Sequence, residues 1–209
     1  MTEVLGYQTY AVHGTDWGCA VAYELYGQFN TTVRAAHLNF LPFFPPNLEQ
    51  LAALNITLSG AEVDEEKRSL DWQGAGSGYF AEQTTKPNTI GLALYDNPIG
   101  QLTWIAEKFI LWSDPRRGSG PSVLTDNEIL RGCVSLLSYT FFCLLAKTDA
   151  PLLYTSFNYN VGFWPKALVE EVGNLVYYKF QEFGGHFAAL DNPPALAADI
   201  SMIGKYWHQ

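Results

Sequence analysis

The stretch His13-Gly14-Thr15-Asp16-Trp17-Gly18-Cys19 decides how this chain is read. Before it, Tyr7-Gln8-Thr9-Tyr10-Ala11-Val12-His13 is β-branched and aromatic, the composition of a strand. After it, Ala20, Val21, Leu25 and Phe29 recur at helical spacing. Between the two, small residues stand two before and two after an acid. A sharp strand-to-helix turn holds its central residue in a strained backbone conformation, and small neighbours at those positions let the chain pass itself. Asp16 would then project from the carboxyl end of a strand, where α/β folds bind ligands. This is a nucleophile elbow with Asp in place of Ser. The same seven residues also read as an ordinary turn in which Asp16 caps the following helix.

Outward from the elbow, Val33 to Leu38 reads as a second short buried strand, and strand, helix, strand suggests a parallel unit. Three prolines from Pro42 to Pro46 end that pattern, and the next hundred residues read almost wholly as helices with loops. Within them Ile99, Leu102, Ile105, Ala106, Phe109 and Ile110 form one apolar face behind Pro98, and Trp112-Ser113-Asp114-Pro115 stops the helix. Pro115 to Pro121 is a loop, and Val134 to Leu145 reads as another buried helix. Strands follow at Leu152 to Phe157 and Asn174 to Tyr178, then a closing helix with Leu196, Ile200, Ile203 and Trp207 on one face. The expected fold is α/β, a single domain over 1–209 with a mostly parallel sheet and a helical lid inserted at 45–150.

The 209 residues are 48% hydrophobic and 16% charged, which excludes disorder as the main state. A net charge of -9 repels phosphate backbones, so nucleic acid is not an expected partner. Cys19, Cys133 and Cys143 are odd in number and lack C-x-x-C spacing, as expected of buried reduced thiols. No apolar run approaches the roughly 20 residues of a bilayer span, and Met1-Thr2-Glu3 lacks the basic start of a signal peptide. A soluble cytoplasmic protein is the expectation.

The second chemical element is Glu182-Phe183-Gly184-Gly185-His186-Phe187-Ala188-Ala189-Leu190. Elbow hydrolases keep the order nucleophile, acid, histidine, which puts His186 in the place of the base. Here the sequence resembles the epoxide hydrolases of the α/β-hydrolase fold, particularly the microsomal-type and fungal members. The resemblance rests on Asp16-Trp17-Gly18, on Ala36-His37-Leu38-Asn39, and on Gly78-Tyr79 leading to Thr85-Lys86-Pro87-Asn88-Thr89-Ile90-Gly91. It continues through Trp112-Ser113-Asp114 and returns at Phe163-Trp164-Pro165-Lys166 and at the His186 segment.

The resemblance implies a two-step reaction on a hydrophobic epoxide: a carboxylate attacks a ring carbon, then a water activated by His hydrolyses the ester. Asp16 is the implied nucleophile, His186 the base and Trp17 the backbone oxyanion donor. Tyr79 is the first of two lid tyrosines that hold the ring oxygen, and Tyr154, or else Tyr139, the second. No metal or organic cofactor is implied. The family's relay acid aligns with Ala167, which cannot orient an imidazole; Glu170 or Glu171 would have to reach instead, although both also read as a solvated helix face. Asn39, where related hydrolases can place an acid, is an amide.

Measured against the family, the chain begins about one strand before the elbow. That leaves out an oxyanion loop and makes the first strand an edge, with homo-oligomer formation as the expected consequence. The competing readings are a haloalkane dehalogenase, which shares the Asp-Trp-Gly elbow, and a non-catalytic binding protein.

Overall fold

The computed structural model describes residues 1–132, 146 and 148–207. In chain order the elements are α1 (Thr2–Leu5), β1 (Tyr10–Gly14), α2 (Trp17–Gln28), β2 (Val33–Leu38), α3 (Leu48–Ala53) and α4 (Ala61–Asp71). A π-helical turn (Trp72–Gly76) leads into α5 (Gly78–Thr85), α6 (Pro87–Leu94), α7 (Pro98–Leu111) and α8 (Asp126–Gly132). Then come β3 (Pro151–Tyr159), α9 (Lys166–Glu171), β4 (Asn174–Gly185), α10 (Ala188–Asp191), α11 (Pro193–Ser201) and α12 (Ile203–Tyr206). The segment read as a helix from Val134 to Leu145, with Cys133, Cys143 and Tyr139, lies outside the described residues.

The four strands form one parallel sheet in the order β1-β2-β3-β4. Its two inner strands are apolar on both faces, as a helix-covered parallel sheet requires: Val33, Ala35, Ala36 and Leu38 of β2 and Leu152 and Leu153 of β3 are fully buried. Each of the larger side chains contributes about 1.5–3 kcal/mol when taken out of water. β1 starts at Tyr10 rather than Tyr7, because its partner β2 starts at Val33 and offers residues 7–9 nothing to pair with.

The helices start where the sequence supplies a cap. Asn47 and Gln50 form a reciprocal capping box at α3, Asn97 accepts from the Gly100 N–H ahead of Pro98, and Asn192 accepts from the Ala195 N–H ahead of Pro193. Of the helical stripe its aliphatic spacing suggests, α2 buries Ala20 and partly buries Leu25, but Val21 and Phe29 are each 54% exposed, whereas Cys19, Ala22, Tyr23 and Tyr26 are buried. The tyrosines can go inside because their hydroxyls donate to the Val172 and Ala150 carbonyls, each at 2.7 Å.

Buried polar groups tie the sheet to α11. His37 of β2 contacts Thr155 of β3 at 3.0 Å, and the Thr155 hydroxyl donates to Asp199 at 3.1 Å. Burial, with His13 at 2.9 Å as a second cause, pushes the His37 pKa down to about 3, so the ring is neutral. Cys19 is a free, buried thiol whose burial raises its pKa, and it is not a nucleophile. No helix among the described residues is long and apolar enough to cross a membrane.

β1 has β2 on one side and no described strand on the other. Val4, Leu5 and Tyr7, which precede it, are 58% exposed or more. An open strand edge beside exposed apolar residues templates pairing with another chain. The chain is therefore expected to self-associate at micromolar concentration, read as a light-scattering mass above that of the monomer. A monodisperse monomer would contradict this.

Candidate active site

Asp16 sits between β1 and α2 with φ 46° and ψ −126°, a conformation that L residues rarely adopt. Its side chain makes no capping hydrogen bond to the helix, so the residue is an elbow and not an N-cap. Gly14 makes the turn possible: a Cβ there would lie 2.5 Å from the Gly18 oxygen and 2.8 Å from the Ala22 Cβ. Gly18 differs from expectation, since a Cβ on it would meet nothing within 4 Å.

The loop after β4 brings His186 to the elbow, with Nε2 at 3.3 Å from Asp16 Oδ1. Burial would raise the Asp16 pKa, but the His186 side chain and the Trp17 backbone N–H outweigh it and hold the carboxyl below its ordinary value. Asp16 is therefore ionised at neutral pH. Around His186 stand Phe40, Trp112 and Phe187, with ring centroids at 5.4, 5.3 and 5.2 Å, each close to edge-on. This aromatic wall keeps bulk water off the imidazole, whose side chain is 5% exposed.

The other imidazole nitrogen, Nδ1, lies 2.9 Å from Oδ1 of Asn160. The orientation of that amide is fixed by its surroundings. Its Nδ2 donates to the Asn39 carbonyl at 2.9 Å, and its Oδ1 also accepts from the Val161 N–H at 2.9 Å. Asn160 thus presents an oxygen to His186, which places a proton on Nδ1, while the Nε2 edge faces Asp16.

The two residues open into a cavity of about 590 Å³, which Tyr79 of α5 and Trp104, Lys108 and Trp112 also line. Tyr79 is half-buried, its ring 5.1 Å from that of Trp112. Burial, then the charge of Asp16, raises its pKa, so the hydroxyl stays protonated and available as a donor. Lys108 Nζ lies 4.4 Å from the Trp104 ring centroid and 5.3 Å from that of Tyr79.

No protein-family model matches the chain. Over 96% of its length it is 33% identical to a curated relative from Stigmatella aurantiaca that is named an epoxide hydrolase, and over 94% it is 32% identical to another from Dothistroma septosporum. The solved Aspergillus niger epoxide hydrolase superposes with a TM-score of 0.74 at 26% identity, covering 99% of this chain and 55% of that one. The chain is a relative of the epoxide hydrolases. A silkworm juvenile hormone epoxide hydrolase shares the fold, with a TM-score of 0.78 at 22% identity. The chain spans about half the length of the curated relatives it matches.

The structure places three candidate residues elsewhere than expected. Tyr154 is no lid residue: it is 1% exposed inside β3, with its ring stacked on Tyr178 at 5.7 Å, because a residue within an inner parallel strand belongs to the core. Glu170 lies on the exposed face of α9 and pairs with Lys166 at 3.4 Å, one helical turn back. Glu171 is exposed on the same short helix, and Ala167 is exposed as well. The partner of the imidazole is Asn160, which the sequence reading passes over. A polar residue just past a strand's carboxyl end is the signal that could have found it.

Two buried carboxylates hold the His186 loop in place. Asp114 Oδ2 accepts from the Gly184 N–H at 2.9 Å, and Asp191 Oδ2 accepts from the Gly185 and Asp114 N–H groups at 3.0 and 3.1 Å. The His186 N–H donates to the Trp112 carbonyl at 2.8 Å. Burial would raise the Asp114 pKa, but Arg116 and the Gly184 and Arg116 N–H groups hold it below the usual carboxylate range. A depressed pKa contributes stability above the unfolded value of about 3.9, lost as pH falls through the folded value. Asp114→Asn is thus expected to melt earlier than the parent at pH 7, with the gap closing below about pH 4. An equal gap at both pH values would contradict this.

Proposed function

We propose that Asp16 opens an epoxide and that His186 hydrolyses the resulting ester, yielding a vicinal diol. An Asp16 oxygen attacks a ring carbon, the carbon–oxygen bond breaks, and its electron pair goes to the ring oxygen. Tyr79 donates a hydrogen bond to that oxygen and then its proton. Alkylation also consumes the negative charge on Asp16. With its proton on Nδ1, His186 then has Nε2 free to take a proton from water as the water attacks the ester carbonyl. The Trp17 N–H stands at the developing oxyanion. Collapse expels the alkoxide, which His186 protonates, and the acid formed on Asp16 returns a proton to Tyr79. The observation that carries this reading is the line Asp16–His186–Asn160, joined at 3.3 and 2.9 Å.

An aspartate suits the first step because its ester can be cleaved at the carbonyl, whereas an ether formed on a serine could not. For the second step Asn160 fixes the tautomer but supplies no charge to the imidazolium. A carboxylate about 4 Å away at an effective dielectric of about 20 would be worth about 4 kcal/mol. Hydrolysis is therefore expected to be the slow step, with an ester accumulating.

Asn160→Asp tests this reading. Its second oxygen would face the Asn39 carbonyl, a cost of about 1–3 kcal/mol, which leaves a net gain of roughly 10-fold to 10²-fold in ester hydrolysis. Rapid-quench measurement of styrene oxide alkylation and diol release should show the second rate rising and the first unchanged. An unaltered hydrolysis rate, in a variant with intact circular dichroism, would remove Asn160 from the account.

A further inference from the structure

We propose that the cleft between α3 and α4 is a second ligand site, which takes a small apolar amine with its ammonium on Glu66. The cleft holds about 760 Å³, within the usual range for small-molecule pockets, and shares no lining residue with the Asp16 cavity. Its walls are aliphatic, among them Leu48, Leu51, Ile56, Val63 and Leu70. Leu48 and Val63 are 59% and 52% exposed, so the mouth is open and apolar.

Glu66 also lines this cleft, is 2% exposed, and has no hydrogen-bond partner for either carboxylate oxygen among the described residues. Its neighbour Glu65 shows what a satisfied carboxylate on α4 looks like: it is buried too, and accepts from the Ser156 hydroxyl of β3. Lys67 lines the cleft but cannot repair the defect, since consecutive helical residues do not face each other.

A buried carboxylate without a donor is costly, and a cationic donor that reaches it forms the stronger, charge-assisted kind of hydrogen bond. Burial pushes the Glu66 pKa up to about 7, which leaves a substantial ionised fraction at neutral pH to meet a cation. The aliphatic walls then require an apolar body behind the ammonium. A neutral alcohol of equal length gains the walls but not the charge.

The test is calorimetric titration of n-hexylamine, with 1-hexanol as the uncharged control, into the full chain at neutral pH. We expect one saturable amine site, at least about 10-fold tighter than the alcohol, which corresponds to about 1.4 kcal/mol. Glu66→Gln should weaken the amine about 10-fold or more while leaving the melting temperature no lower, and Val63→Trp should weaken it by filling the mouth. Asp16→Asn should leave it unchanged. The proposal fails if the amine does not saturate, if amine and alcohol bind alike, if Glu66→Gln binds as the parent does, or if Asp16→Asn abolishes the binding.

Discussion

Asp16→Ala is expected to abolish covalent uptake of epoxide and all diol formation, with the helical circular dichroism unchanged. In the proposed reaction this residue carries the attacking carboxylate. Cys19, three residues on, is a buried thiol held protonated. The substitution also leaves the strained backbone in place, since Ala at φ 46° still suffers the Cβ clash that Gly would avoid. The expected stability change is therefore small beside the loss of chemistry. Undiminished labelling in Asp16→Ala, measured by intact mass, would place the nucleophile elsewhere.

Tyr79→Phe carries the second large effect. Opening the ring puts charge on an oxygen, and a preorganised donor that meets such a charge is typically worth about 10²-fold to 10³-fold in rate. Tyr79 packs against the Trp112 ring at 5.1 Å, and burial and the charge of Asp16 keep its hydroxyl protonated. The π-helical turn from Trp72 to Gly76 directly precedes α5, the helix that carries Tyr79. Phe keeps the ring packing and loses the donor. The alkylation rate should fall by that factor while the concentration dependence of binding changes little. An unaltered alkylation rate would take Tyr79 out of the reaction.

The parts of the molecule visible in the sequence are those fixed by short-range rules. The elbow is legible because a strand, a small-residue turn and a helix follow one another within about twenty residues, and α7 because Pro98 marks its start. The bounds of β2 are legible because Val33, Ala35, Ala36 and Leu38 make a short, mostly apolar run of the kind a buried parallel strand needs. What the sequence conceals depends on tertiary partners. Tyr23 and Tyr26 go inward because carbonyls of Val172 and Ala150 are there to accept their hydroxyls, which no helical periodicity announces. Asn160 meets His186 across 26 residues, and the role of its amide depends on a carbonyl of Asn39, 121 residues away. Glu170 looks available in sequence, but α9 turns it to solvent beside Lys166. Glu66 lies in the charged run Asp64-Glu65-Glu66-Lys67-Arg68, yet folding buries it together with Glu65 while Asp64 and Lys67 stay exposed.

The central claim is that Asp16 becomes esterified and that the ester outlives its formation, and time-resolved intact mass of the unaltered chain with excess styrene oxide tests it most directly. The expected result is a rise by the mass of one substrate, located by peptide mapping to the segment that contains Asp16. The adduct should approach one per chain before diol release reaches its steady rate. Diol released from the outset with no adduct at any time, or an adduct on any other residue, would contradict it.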